Sequence, residues 1–260
     1  APRQFDSGSA AIDREIKRLI QILKTRQLKE NDFVLIDYRS RKLRHFVGPK
    51  IRDMARKILF DKDFPEVFSQ KAFSEFAAMR ISRAGNHCIA LLDLDDLKKI
   101  NTFFGAHQYG TRVLQIYSQT LAYVVGRYGG IAAKYGGDEF SIYLPMKSDR
   151  AKIIIEKELK PLLKQRLMTD KILSKRAVKR TEYLKKVLLK KKKPTQKEKE
   201  LIALMRNFLL HKTTDGKLLP LFCAGLINAS GNEYKKVMQK ASELVHEAKH
   251  SSAKNITLAI

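Results

Sequence analysis

The stretch "HCIALLDLDDL", residues 87–97, sets the strongest limit on what this chain can fold into. Its apolar residues run without alternation and end in Asp93, Asp95 and Asp96. A half-exposed strand would alternate, so the run predicts a strand buried on both faces, at the centre of a sheet, with carboxylates at its C-terminal end.

Other segments supply what such a strand needs around it. Helical periodicity is expected over residues 64–83, where Phe68, Ala72, Phe73 and Phe76 share a face, and from about 110 after a glycine-bounded loop. "GIAAKYGGDEFSIYLP" reads as a hairpin, and "KSDRAKIIIEKELKPLLKQRL" as a helix starting near Ser148. An Asp-Gly turn in "TTDGKLLPLFCAGLI" feeds a second buried strand, followed by a helix in "GNEYKKVMQKASELVHEAKH" and a last strand in "KNITLAI". The first 62 residues read as an accessory unit, with a helix over 10–28 that could equally be a dimerisation stalk and a short hairpin around Ser40. Residues 166–212 break the rhythm. Lys and Arg dominate them, with helical apolar spacing on both sides of Pro194, and two basic helices inserted into the main domain are expected.

The formal net charge is +25, so polyanions are natural partners, although basic helices also serve as solvated faces. Two cysteines, Cys88 and Cys223, lie inside apolar runs and match neither a disulfide framework nor a zinc pattern. Buried thiols in a reducing, cytoplasmic compartment are expected. No apolar run approaches the length that spans a bilayer. "APRQFDSGSA" lacks a starting Met and does not read as a signal peptide, so a processed or trimmed piece is expected.

Chemistry concentrates at two acidic stations, "LLDLDDLKKIN" (91–101) and "YGGDEF" (135–140). If the strands that carry them are neighbours, a carboxylate from each can converge on a hard divalent ion, Mg2+ or Mn2+. Gly136 and Gly137 permit positive φ and a close approach of phosphate or base. Such a site would suit phosphoryl or nucleotidyl transfer. A surface hairpin carrying ordinary solvated acids would use the same residues.

"YGGDEF" is similar, letter for letter, to the signature of the GGDEF domains, the diguanylate cyclases. Asp93-Leu94-Asp95, Lys98 and Asn101 resemble the family's D-I-D-x-F-K-x-I-N; "FCAGLI" and "ASELVHEAKHSSAKN" resemble its later strand and closing helix. The resemblance covers about residues 64–260 apart from the basic segment. It implies an α/β palm-like nucleotidyl cyclase fold, with a mainly antiparallel central sheet flanked by helices, as a domain over 63–260 carrying a basic helical insertion at about 166–212. It implies a cytoplasmic, Mg2+-dependent enzyme that condenses two GTP into cyclic di-GMP, releases pyrophosphate and works as a homodimer. By the same resemblance Asp93, Asp138 and Glu139 would hold metal with the Leu94 carbonyl assisting. Lys98, Lys249 and Lys254 would contact phosphates, Asn101 would face the guanine, and Gly136 and Gly137 would let the nucleotide approach.

The chain departs from that pattern in places. Thr111 stands where the family has a guanine-contacting Asp, and the opening motif keeps little beyond Phe73. A hydroxyl cannot offer a carboxylate to the guanine edge, a loss of about 1–3 kcal/mol. Arg127 occupies the first place of the R-x-x-D feedback motif, but Gly130 occupies the fourth and Lys134 replaces the usual Arg before Y-G-G, so weak product inhibition is expected. His107 is expected to be structural. A degenerate module that binds nucleotide or a partner without turnover is the alternative, and the basic segment could bind a polyanion or a protein in either case.

Overall fold

The computed structural model describes residues 35–37, 42–44, 59–94, 97–188, 195–196, 198–199, 222–250 and 257–258. The helix expected over 10–28, Asp95, Asp96, the second basic helix beyond Lys199, the Asp-Gly turn and Lys254 lie outside the described residues. The hairpin expected around Ser40 is present: β1 (Leu35–Asp37) pairs antiparallel with β2 (Lys42–Arg44).

The chain then runs through α1 (Gln70–Ile81), β3 (Cys88–Asp93), α2 (Leu97–Phe104), α3 (His107–Arg127), β4 (Ile131–Lys134) and β5 (Glu139–Leu144). After these come α4 (Ser148–Ile154), α5 (Lys160–Thr169), α6 (Lys171–Leu188), β6 (Cys223–Asn228), α7 (Tyr234–His250) and β7 (Thr257–Leu258). The main sheet has the order β4-β5-β3-β6-β7; its first four strands are antiparallel and β7 joins β6 in parallel. Every residue of β3 is buried, as the uninterrupted apolar run predicts for a central strand.

Strand alternation sorts the core into two layers. Ala90 and Leu92 of β3, with Phe140 and Ile142 of β5, pack against Ile100, Phe104, Tyr117, Leu121 and Leu163. Ile89, Leu91, Tyr143 and Cys223 face the other way, onto Phe73, Phe76 and Ile81 of α1 and Val237, Ala241 and Val245 of α7. Cys88 and Cys223 are both buried, belong to opposite layers and form no disulfide; burial pushes the Cys88 thiol up to about 12. Gly225 lets α7 press onto β6, since a Cβ there would stand 2.3 Å from the Ala241 carbonyl.

The first helix of this region is shorter than its apolar spacing predicts. It begins only after Ser69, whose hydroxyl accepts from the Ala72 N–H, while Phe68 is spent on β-bridges to Phe60 and Ala133. The helix expected from Ser148 does start there, but a π turn over Ile155–Leu159 separates α4 from α5. Pro161 has no N–H to donate and its ring crowds the carbonyl one turn back, so a local widening of the helix relieves it.

The basic segment is less peripheral than its composition suggests. Leu173, Ala177 and Thr181 of α6 are buried, and the first two belong to the main core cluster. Among the described residues, no helix is long and apolar enough to cross a membrane.

Candidate functional site

Strand register brings the two acidic stations together. Asp93 closes β3, where its Cα partner on β5 is Glu139 and on β6 is Cys223. The loop before Glu139 is tied back to β3, because the Leu94 N–H donates to the Asp138 carbonyl at 3.1 Å. Asp93 is only 7% exposed and its Oδ2 accepts from Lys249 Nζ of α7 at 2.6 Å. Asp138 and Glu139 are half-buried beside it. Burial, and then the charges of Asp93 and Asp138, hold the Glu139 carboxyl above its ordinary range, while Lys249 and Lys134 pull it down. Three carboxylates and two ammonium groups therefore sense one another at this end of the sheet.

The hairpin tip is held from inside by Lys134. Its Nζ donates to the carbonyls of Gly136, Gly137 (2.8 Å) and Glu139 (3.3 Å), and lies 4.5 Å from the centre of the Phe140 ring. Burial lowers the Lys134 ammonium, and the surrounding acids only partly offset this. The glycines act differently from expectation. Neither Gly136 nor Gly137 has positive φ. A Cβ at Gly136 would meet only the tip of the Glu139 side chain, Oε2 at 2.4 Å, so a larger residue there would displace that carboxylate, whereas Gly137 faces open space.

The remaining predicted residues lie on the helices beyond β3. Lys98 is exposed on the first turn of α2. Asn101, half-buried one turn later, accepts the Gly110 N–H of α3 through Oδ1 at 3.1 Å. Any side chain at Gly110 would collide with Asn101, so the glycine fixes that contact. The Asn101 Nδ2 group is what this residue can offer a ligand. Thr111 is exposed, and its hydroxyl donates to the His107 carbonyl of its own helix at 3.3 Å.

Two side chains of α6 that sequence reading did not single out shape this region. Arg176 donates through Nε and Nη2 to the Phe104 carbonyl at 3.0 and 2.8 Å, and stacks on Tyr109. Arg180 approaches Gly105, whose φ of +74 makes the turn between α2 and α3. The start of α6 is pinned by Asp170, which caps the Leu173 N–H and accepts Arg112 at 2.7 Å. Burial alone would raise the Asp170 carboxyl, but the hydrogen bonds from Arg112 and Leu173 outweigh it and hold the group below the usual range. No charge pattern in a run of lysines and arginines marks which arginine turns inward; only the buried stripe of Leu173, Ala177 and Thr181 does.

The position of the feedback motif is also resolved. Arg127 pairs with Glu158 at 3.1 Å, and Tyr128 donates to the same carboxylate. A side chain at Gly130 would stand 2.2 Å from the Tyr143 carbonyl, so an acid has no room there unless the backbone moves.

As for a metal, Asp93, Asp138 and Glu139 offer the oxygen donors that Mg2+ and Mn2+ prefer. Among the described residues, no group of three or more His, Cys, Asp or Glu stands within ligating reach of a common ion. As they stand, Asp93, Asp138 and Glu139 therefore do not form the three-carboxylate ligand set that the resemblance implies.

The family described as diguanylate cyclase, GGDEF domain matches residues 65–181. No curated protein sequence matches the chain significantly. Among solved structures, the chain is similar to the coiled coil and GGDEF domain of DgcB from Caulobacter crescentus, crystallised with c-di-GMP. The two share 15% identity over 95% of this chain and 97% of that one, with a TM-score of 0.52. It is also similar to the S helix-GGDEF-EAL portion of LapD from Vibrio cholerae in its apo form, at 9% identity over 80% of this chain and 39% of that one, with a TM-score of 0.50. These likenesses establish a shared fold.

Proposed function

We propose, from the premise that this chain carries a GGDEF domain over residues 65–181, that it is a diguanylate cyclase condensing two GTP into cyclic di-GMP and pyrophosphate. The observation that carries the reading is the gathering of Asp93, Asp138, Glu139 and Lys249 at the carboxyl end of the central strand. A bound Mg2+ or Mn2+ would neutralise phosphate charge and lower the pKa of an attacking hydroxyl. The chain's own part is positional. Asp93 and Asp138 present oxygens from two chain segments held by the Leu94 to Asp138 hydrogen bond, and Lys134 fixes the tip that carries Asp138. Lys249 pairs with Asp93 in the resting site, and on this reading it would turn toward a phosphate of the bound nucleotide. Asn101 and the exposed Lys98 lie on α2 beyond the strand end, where the base and phosphates would extend, with Lys254 as a further phosphate contact.

Each domain would hold one GTP, so turnover needs a homodimer and rises with protein concentration. In the proposed division of the chain, residues 1–62 form the accessory or dimerisation segment; Leu59 and Phe60, at its end, are buried in the α1 layer. The proposed setting is cytoplasmic signalling. Feedback through Arg127 is proposed to be weak, because Glu158 already engages it and Gly130 lacks room for an acid. Micromolar cyclic di-GMP binding that Arg127→Ala removes would contradict this.

The deciding experiment is incubation with GTP and Mg2+ followed by nucleotide chromatography. Cyclic di-GMP formed by the wild type and strongly reduced in Asp138→Ala is expected. A second reading, nucleotide binding without turnover, is favoured by Thr111, whose hydroxyl is turned onto its own helix. GTP binding by calorimetry with no product would select it.

A further inference from the structure

The last described turns of α7 spell His246-Glu247-Ala248-Lys249-His250, the H-E-x-x-H spacing that puts two imidazoles on one helical face. Here the spacing is realised in three dimensions. His246 Nε2 and His250 Nε2 stand 3.2 Å apart, with ring centroids 4.4 Å apart, and both residues are exposed. The turn is not free to unwind easily, because Val245 and Ala248 on its inner face are buried against the sheet.

We propose that His246 and His250 form a two-imidazole chelate for a borderline transition-metal ion of the Zn2+ or Ni2+ class. Imidazole nitrogens suit such ions, whereas the carboxylates around Asp93 suit harder ones. Two nitrogens each about 2.0–2.1 Å from a tetrahedral zinc lie roughly 3.3–3.4 Å from each other. The observed separation is close to that, so an ion can enter between the two Nε2 atoms once both present a lone pair, each neutral ring then carrying its proton on Nδ1. Neither ring has to change place on the helix.

Peptidase chemistry, which the same motif serves elsewhere, does not follow. Among the described residues no third His, Cys, Asp or Glu completes a ligand set. The chelate therefore holds an ion whose remaining positions belong to water or to a ligand in the neighbouring groove. That groove, about 840 Å³, lies between α1 and α7 and is bordered by His246, Glu243, Tyr135 and Tyr234. Lys249, one residue before His250, holds Asp93, so a clamped turn would also steady that ion pair. The inference is independent of the cyclase reading.

The test is calorimetric titration of Zn2+ into the full, tag-free chain with Mg2+ in excess to engage the carboxylates. One zinc per chain is expected. His246→Gln and His250→Gln should each weaken it by roughly tenfold or more, since each removes one arm of an intramolecular pair. His107→Gln, at an exposed histidine on α3, should leave it unchanged. Zinc should also raise the melting temperature of the wild type and not of the two variants. Wild-type zinc affinity in His246→Gln or His250→Gln would overturn the proposal, and so would zinc binding that excess Mg2+ abolishes.

Discussion

The carboxyl end of β3 and the junction of α2 with α3 are separated in sequence by little more than one short helix, yet they are built on different principles. At the strand end, backbone register does the positioning: Asp93 faces Glu139 across one ladder, and the Asp138 carbonyl is hydrogen-bonded to Leu94. At the helix junction, position comes from side chains of a distant segment. Arg176 caps the Phe104 carbonyl, Arg180 borders Gly105, and Asp170 grips Arg112 beside Thr111. The first region keeps the residues that the GGDEF resemblance implies. The second has lost the acid at 111 and is buttressed by a helix of the basic segment. On the proposed cyclase reading, the phosphate end of the site would be kept while its base end is reshaped.

The largest effect is expected at the strand end. Asp93→Ala or Asp138→Ala should cut turnover by about 10²–10³-fold, the scale of removing one preorganised electrostatic contact from a transition state. Circular dichroism should show the fold intact. Wild-type turnover in either variant would remove the distinction between the two regions, because the acids would then be as dispensable as solvated surface charge.

The helix junction breaks in a different observable. Leu173 of α6 is 2% exposed within the main core. Leu173→Ala should cost about 2–4 kcal/mol of stability by transfer loss and cavity formation. Denaturant melts check this, and a cost near zero would return α6 to a peripheral role. By the same reasoning, deleting the segment from its start should destabilise the domain.

Why one region was legible and the other was not follows from how burial writes itself into sequence. A strand covered on both faces needs apolar side chains at every position, so "CIALLD" announces itself. The hairpin was readable because its glycines and acids interrupt an alternating pattern. The closeness of Gly136 to the Glu139 carboxylate was not, since that approach is a tertiary fact. Among the described side chains of α6 the buried stripe is Leu173, Ala177 and Thr181, and Arg176 turns inward among exposed bases, so charge count masks the packing. Lys134 illustrates the same limit: it reads as a substituted arginine, yet it ties down three carbonyls of the tip. The H-E-x-x-H spacing was visible in the letters, but only the 3.2 Å separation gives it meaning.

Thr111→Asp sharpens the comparison at its weaker end. It restores a carboxylate at the first turns of α3, next to Asn101 and Gly110. If the base of GTP is read there, affinity should improve by about 1–3 kcal/mol, with preference for GTP over ATP increasing. Calorimetry with both nucleotides tests it, and equal affinity for the two in the variant would place base recognition elsewhere.

The smallest effect probes the resting charge balance of the strand end. Burial and the neighbouring Asp93 and Asp138 charges raise the Glu139 carboxyl above 4.5. The folded chain therefore binds this proton more tightly than the unfolded chain does. The contribution of Glu139 to stability is fully present below 4.5 and is lost as pH rises through the folded-state value. At neutral pH the ionised group costs stability, which Glu139→Gln should recover. The group is half exposed and Lys249 and Lys134 offset part of the repulsion, so the gain should be below about 1 kcal/mol, a melting rise of at most ~2–4 °C. It should appear at about pH 7 in chelator and vanish at about pH 4, where the native carboxyl is itself protonated. Adding Mg2+ should shrink the difference as well, since an ion among the carboxylates makes the negative charge an asset. A variant no more stable than the wild type in chelator at neutral pH would mean that the two lysines already cancel the repulsion. The strand end would then be balanced before any cation arrives, and the contrast with the buttressed helix junction would rest on register alone.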